Sequence, residues 1–90
     1  MSAQANATAI PPIEVVLGEV VASLALTAHA YLEPAASENA KPDLEGAEAA
    51  IDVAGKAFER IQSRLSTEER SALARLLTEL RMTYVRKRGA

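Results

Sequence analysis

Apolar side chains recur at steps of three and four residues in three stretches of this chain, which is the spacing of one face of an α-helix. The first stretch runs from Ile13 to Leu32, the second from Leu44 to Leu65, and the third follows Ser66 and ends at Gly89. The second stretch keeps the alternation for three heptads, through Leu44, Ala47, Ile51, Ala54, Phe58, Ile61 and Leu65. The pattern predicts an all-α protein built as a three-helix unit.

Local signals place the ends of these helices. Pro12 suits a first helical turn, and Pro34 stops the first helix because the residue before a proline avoids the helical region. Asp43 is a good N-cap for helix two. Ser66 and Glu69 have the spacing of a capping box at the start of helix three. The connection between helices two and three is very short, so we predict that they form an antiparallel hairpin with helix one packed along it.

The same boundaries divide the chain. Residues 1–12 are small and polar without a period, which predicts a flexible N-terminal tail. Residues 13–88 form the single predicted domain, with residues 34–42 as an internal loop.

Helix one is apolar on two sides. Its main stripe is Ile13, Leu17, Val20, Val21, Leu24, Ala28 and Tyr31. The opposite side carries Val15, Val16, Ala22, Leu26 and Ala30, mixed with Glu19, Ser23 and Thr27. A helix that is apolar nearly all round is usually covered on more than one side, and a three-helix monomer has nothing to cover the second side.

The uncovered side predicts that the core is completed by oligomerisation, as a homodimer with two-fold packing and helix one at the interface. The predicted interface residues are Ile13, Val15, Val16, Leu17, Val20, Leu24 and Leu26.

Glu14, Glu19 and His29 interrupt the apolar run, and charges near a bilayer centre are costly. The N-terminus also lacks the basic region of a secretory signal. We therefore expect a cytoplasmic protein without a membrane span.

The composition limits the kinds of catalytic and metal site that the chain can form. The 90 residues include no cysteine, which excludes disulfides, thiolate metal sites and a cysteine nucleophile. Phe58, Tyr31 and Tyr84 are the only aromatic residues, so the core must be aliphatic. A single histidine, His29, cannot assemble a zinc site alone, and Ser66 has a capping role and no base beside it.

The remaining candidates for chemistry are equally weak. The carboxylates Glu45, Glu48, Asp52 and Glu59 share one face of helix two but project away from the apolar seam, as on a solvated face. No Glu-x-x-His motif accompanies them, and the glycines form no phosphate-binding loop. We predict no catalytic residues, no cofactor, no metal and no enzymatic activity.

The strongest charged feature is a basic C-terminal end in a chain of net charge −2. Its residues are Arg81, Arg86, Lys87 and Arg88. Cations there complete a helix C-terminus favourably, and we weigh this interpretation about two to one against an anion-binding patch. We also hypothesise that Arg81 pairs across a helix interface with an acid such as Glu14 or Glu19.

Four segments of the chain stand out as a set: Pro11-Pro12-Ile13, Pro42-Asp43-Leu44-Glu45, Leu65-Ser66-Thr67-Glu68-Glu69 and Leu77-Thr78-Glu79-Leu80-Arg81-Met82-Thr83-Tyr84-Val85. Together they resemble the small bacterial family catalogued as domain of unknown function 1844. The resemblance covers roughly residues 11–86, and the last segment is its most specific part. Helix one departs from the family pattern, because a His-Leu-Gly step near its end is replaced by Tyr31-Leu32-Glu33, with His29 two positions earlier. The resemblance implies an all-helical fold and a bacterial, cytoplasmic origin, and it implies no catalytic residues.

Two classes of function remain. The favoured one is a structural or adaptor protein that acts by helix–helix contact with itself or with another protein. The alternative is a nucleic-acid-associated accessory protein that uses the basic C-terminal end. Convergence of the basic ends in an oligomer would favour the alternative, and separated basic ends beside an apolar groove would favour a protein partner.

Overall fold

A computed structural model of the chain describes residues 9–35 and 41–89, and within them it contains three α-helices and no strand. Helix α1 spans Ile13–Leu32, α2 spans Leu44–Ile61 and α3 spans Thr67–Gly89. The all-α, three-helix prediction is confirmed. The predicted tail lies mostly in residues 1–8, and the middle of the predicted loop lies in residues 36–40, both outside the described residues.

The second helix is shorter than the sequence pattern predicts. The α-helix ends at Ile61, the next three residues form a 3₁₀ turn (Gln62–Arg64), and Leu65 is extended with ψ 154°. Tightening of the last turn lets the N–H of Leu65 donate to the carbonyl of Gln62 at 3.3 Å. The chain can then reverse within two residues and enter α3.

The two predicted N-caps form as expected. The Asp43 carboxylate accepts from the N–H of Gly46 at 2.9 Å. At α3 the bonding is reciprocal: the N–H of Glu69 donates to the Ser66 hydroxyl at 3.1 Å, and the N–H of Ser66 donates to the Glu69 carboxylate at 3.0 Å. Each cap satisfies backbone donors that the first helical turn leaves without an intrahelical partner.

Helices that are consecutive in the chain run antiparallel. The first and the third, α1 and α3, therefore lie parallel. One core cluster joins the end of α1, the start of α2 and the later part of α3. Its buried residues are Ala25, Ala28, Leu32, Ala47, Ala50, Ile51 and Leu80. A second cluster joins Val21, Ala54 and Leu77 near the middle of the molecule. The described chain is elongated, with extents of 53 × 28 × 19 Å.

α2 and α3 form the predicted antiparallel hairpin, and the most extensive helix contact in the described chain joins α1 with α2. Residues of α1 contact α2 more extensively than α3 contacts either helix. Ala25 and Ala28 face Ala47 and Ala50 in the shared cluster, and small side chains at a contact let two helix axes approach closely. The alanines therefore decide which two helices pack most tightly.

The buried stripe of α1 is rotated from the predicted one. It consists of Val21, Ala25, Ala28 and Leu32. Three members of the predicted main stripe, Ile13, Val20 and Tyr31, are instead 46 %, 36 % and 39 % exposed. Because α1 is apolar on most sides, its period alone does not say which side packs inward, and the close contact with α2 favours the side that carries alanine.

By length and composition, α1 would also be able to cross a membrane. The core helix of a soluble protein and an N-terminal signal sequence meet the same criterion, so this finding is weak evidence for a span. The four buried residues of α1 show that one side of the helix is occupied by α2 and α3.

Candidate association surface

The outward side of α1 exposes large apolar side chains. Leu26 is 74 % exposed, Val15 48 % and Val16 39 %. Ile13 and Val20 are exposed along the adjoining edge. Isolated exposed apolar residues are ordinary, but several on one helix form a surface that a partner can cover.

Two of the seven predicted interface residues belong largely to the interior of the chain. Leu24 packs against both core clusters, and Leu17 is half-buried. The two residues lie on the edge of α1 that turns toward the other helices once the alanine side faces α2. Neither side chain is fully available for contact with a partner, whereas the other five predicted interface residues remain exposed.

A groove of about 540 Å³ runs between α1 and α3 beside Leu26. Its α1 side consists of Ala22, Ala25, Leu26 and His29, and its α3 side of Leu76, Glu79, Leu80 and Thr83. The buried residues Ala25 and Leu80 form its floor, and the exposed residues Leu26, His29 and Glu79 form its rim. The sequence pattern did not predict the contribution of α3, because it depends on α1 and α3 lying parallel.

A second exposed apolar stripe lies on the outer side of α3. Met82 is 63 % exposed and Val85 53 % exposed, and a shallow depression contains both of them together with Thr78, Arg81 and Arg86. The leucine period of α3 does not predict this stripe. Met82 and Val85 stand three residues apart outside the leucine stripe, which is the signal that could have identified it.

The basic end of α3 does not form one continuous patch. Lys87 Nζ lies 3.3 Å and Arg86 Nη2 3.8 Å from the carboxylate of Glu33, the residue that follows α1. The guanidinium of Arg88 lies over the Tyr84 ring, 5.5 Å from its centroid. The cations therefore interact with the end of α1 and with the surface of α3 itself.

Arg81 points toward α2. Its guanidinium occupies the space beside Gly55 where a side chain would otherwise begin, and it lines a small cleft with Asp52 and Tyr84. Within the chain, the hypothesised pairing with Glu14 is wrong, because Glu14 pairs with Arg64 at 3.2 Å. Glu19, the other hypothesised acid, has no ion-pair partner among residues 9–35 and 41–89.

The described residues contain few groups suited to chemistry. No cluster of three or more His, Cys, Asp or Glu side chains that could hold a metal occurs among them. They include no buried polar or charged side chain, and no buried side-chain nitrogen or oxygen without a hydrogen-bond partner. The features that stand out are apolar: the α1–α3 groove with exposed Leu26, and the outer stripe of α3.

Comparison with known protein families yields a match over most of the chain. A family model described as a domain of unknown function (DUF1844) matches residues 14–86. No curated protein and no solved structure matches the chain. The matched region contains all of α2, nearly all of α1 and most of α3.

Proposed function

This chain belongs to the DUF1844 family of domains of unknown function, and from its surfaces we propose that it acts as a helix–helix association module. In this proposal it is a structural or adaptor protein that forms a homodimer through the outward side of α1. It carries out no reaction, stays out of the membrane and works in a bacterial cytoplasm. The origin and compartment rest on the sequence resemblance.

The exposure of Leu26 is the observation that carries this proposal. It is 74 % exposed although it lies within the second half of a 20-residue helix and beside an apolar groove. Covering one such side chain contributes roughly 1.5–3 kcal/mol. Val15 and Val16 extend the same exposed side toward the start of α1. A partner helix of two to three turns would cover this surface.

The nucleic-acid alternative has less support. It relied on four free cations at the end of α3, and Lys87 and Arg86 share the Glu33 carboxylate. Arg81 is directed toward α2. A salt-dependent affinity for duplex DNA that falls strongly when Arg86 and Lys87 are both changed to Ala would favour the alternative over the proposal.

The proposal is tested by the oligomeric state of two matched variants, Leu26→Glu and Met82→Glu. Both place a charge at a highly exposed apolar position, but Leu26 lies on the outward side of α1 and Met82 on the outer stripe of α3. We expect light scattering coupled to size exclusion to give a dimer for the wild type and for Met82→Glu. Leu26→Glu should be a monomer, because a buried unpaired carboxylate strongly opposes association.

Circular dichroism should show equal helicity in all three proteins, since neither position is in the core. A wild type that stays monomeric at tens of micromolar would overturn the homodimer. A dimer that survives Leu26→Glu would move the interface away from α1.

A further inference from the structure

We infer that the α1–α3 groove is filled by α1 of a second copy, running antiparallel, with Leu26 of each copy set against Ala22 of the other. This inference rests on the proposed function, and it specifies the occupant, direction and register of the contact. The same surface of both copies meets itself, as two-fold symmetry requires.

Shape is the first argument for a second copy. The surface carries both a protrusion and a recess: Leu26 projects from the rim, and Ala22 leaves open space four residues earlier on the same side of α1. Residues four apart stand one turn from each other on a helix, so in two antiparallel copies the protruding leucine of one can fill the recess of the other. Each Leu26 then enters the partner's groove beside the partner's Ala22 and Leu76.

A polar contact across the seam is the second argument, since a histidine N–H can donate to a carboxylate. In this register residue 22 lies opposite residue 26 of the antiparallel partner. Glu19 comes three residues before residue 22 and His29 three residues after residue 26, so Glu19 lies opposite the partner's His29. Glu19 has no ion-pair partner among residues 9–35 and 41–89, and His29 is exposed on the groove rim, which Glu79 of α3 also lines. A parallel pair would instead place Glu19 against Glu19. The antiparallel direction also opposes the two helix dipoles favourably.

The arrangement determines where the basic ends lie. Because α3 runs parallel to α1 in each chain, antiparallel α1 helices carry the two α3 C-termini to opposite ends of the dimer. Arg86 and Lys87 of the two copies then do not form a joint patch. This separation is the geometry that we associated with a protein-binding role rather than with nucleic-acid binding.

Cysteine pairing tests the inference directly, since the native chain contains no cysteine. Two single variants, Ala22→Cys and Leu26→Cys, are prepared with tags of different mass, mixed in equal amounts and oxidised mildly. Opposed side chains across an antiparallel seam have the short separation that a disulfide needs. We expect the mixed disulfide to exceed clearly the half share that random pairing would give.

A second pair of variants avoids altering the leucine. Glu19→Cys mixed with His29→Cys keeps Leu26 and Ala22 intact, and we again expect the mixed disulfide to dominate. Ser63→Cys, at an exposed position in the 3₁₀ turn far from the seam, serves as the control and should remain largely uncrosslinked.

The outcomes separate the inference from the proposed function. Predominant disulfides between two copies of Ala22→Cys, and between two copies of Leu26→Cys, in a protein that is dimeric by light scattering would overturn the antiparallel register and leave the association module standing. A dimer in which neither pair forms disulfides would place the contact outside this groove. A monomer would overturn both proposals.

Discussion

Two glycines of α2 are surrounded very differently. A Cβ at Gly46 would lie 2.6 Å from the carboxylate of the N-cap Asp43 and 3.0 Å from the Tyr31 ring. A Cβ at Gly55 would meet only the guanidinium end of Arg81, a flexible group in an exposed residue. The first glycine allows a helix cap and an interhelical contact, whereas the second leaves space for a side chain that can move away.

Substituting alanine at these glycines should change stability in opposite directions. Gly55→Ala should raise the free energy of unfolding by up to about 1 kcal/mol, because alanine favours the helix and Arg81 can swing into solvent. Gly46→Ala should lower it, because displacing the Asp43 cap costs about 1 kcal/mol and Tyr31 must shift as well. Urea unfolding at one protein concentration measures both changes. The gain for Gly55→Ala should persist in an Arg81→Ala background, and its disappearance there would contradict this account.

The start of α3 is stabilised within the element itself. The reciprocal bonds between Ser66 and Glu69 satisfy two backbone donors, and Glu68 and Glu69 stand in the first turn where they oppose the helix dipole. Arg70 adds a link to the preceding 3₁₀ turn by donating to the carbonyl of Gln62 at 3.1 Å. The same residues therefore begin α3 and hold the tight reversal from α2.

Removing the Ser66 hydroxyl should weaken this junction. Ser66→Ala should lower the free energy of unfolding by about 1 kcal/mol. Ser66→Asp should keep the free energy of unfolding close to that of the wild type, because aspartate is an equally good N-cap. Thermal and urea unfolding measure the difference, and Ser71→Ala at an exposed position within α3 is the matched control. Equal losses for Ser66→Ala and Ser66→Asp would contradict a capping role.

Two buried leucines of α3, Leu77 and Leu80, each join all three helices, in separate core clusters. Leu77 of α3 is 1 % exposed and lies in one cluster with Val21 of α1 and Ala54 of α2. The cluster of Leu80 links the helices nearer the other end of the bundle, whereas surface ion pairs, such as Arg64 with Glu14, contribute little in solution. A chain of 90 residues has a small core, so its stability depends heavily on such a contact.

Leu77→Ala should cost roughly 2–5 kcal/mol and leave a substantial unfolded fraction at room temperature, since it opens a cavity between three helices. Met82→Ala, on the same helix but 63 % exposed, should change stability by no more than about 0.5 kcal/mol. Circular dichroism during thermal unfolding distinguishes the two variants. Cooperative unfolding of Leu77→Ala near the wild-type temperature would show that α3 is held by other contacts.

The amino-acid sequence alone is enough to specify the helices, the caps at Asp43 and Ser66, and the aliphatic core of α2. These features depend on neighbours within a few residues, so period and capping pattern are sufficient to predict them. It also predicted that the second side of α1 would be apolar. It did not determine the end of α2 at Ile61, because a 3₁₀ turn and an α-helical turn use similar residues.

Helix packing sets which side of α1 faces inward and which partners the charges at the helix ends find. Period does not orient a helix that is apolar nearly all round, and the close approach of alanines on α1 and α2 set its rotation. That rotation placed Leu26 beside a groove lined by α3. Glu14 and Arg64 are fifty residues apart in sequence, and Glu33 and Lys87 are likewise distant. Their pairing, like the groove, depends on helix packing that no local pattern contains.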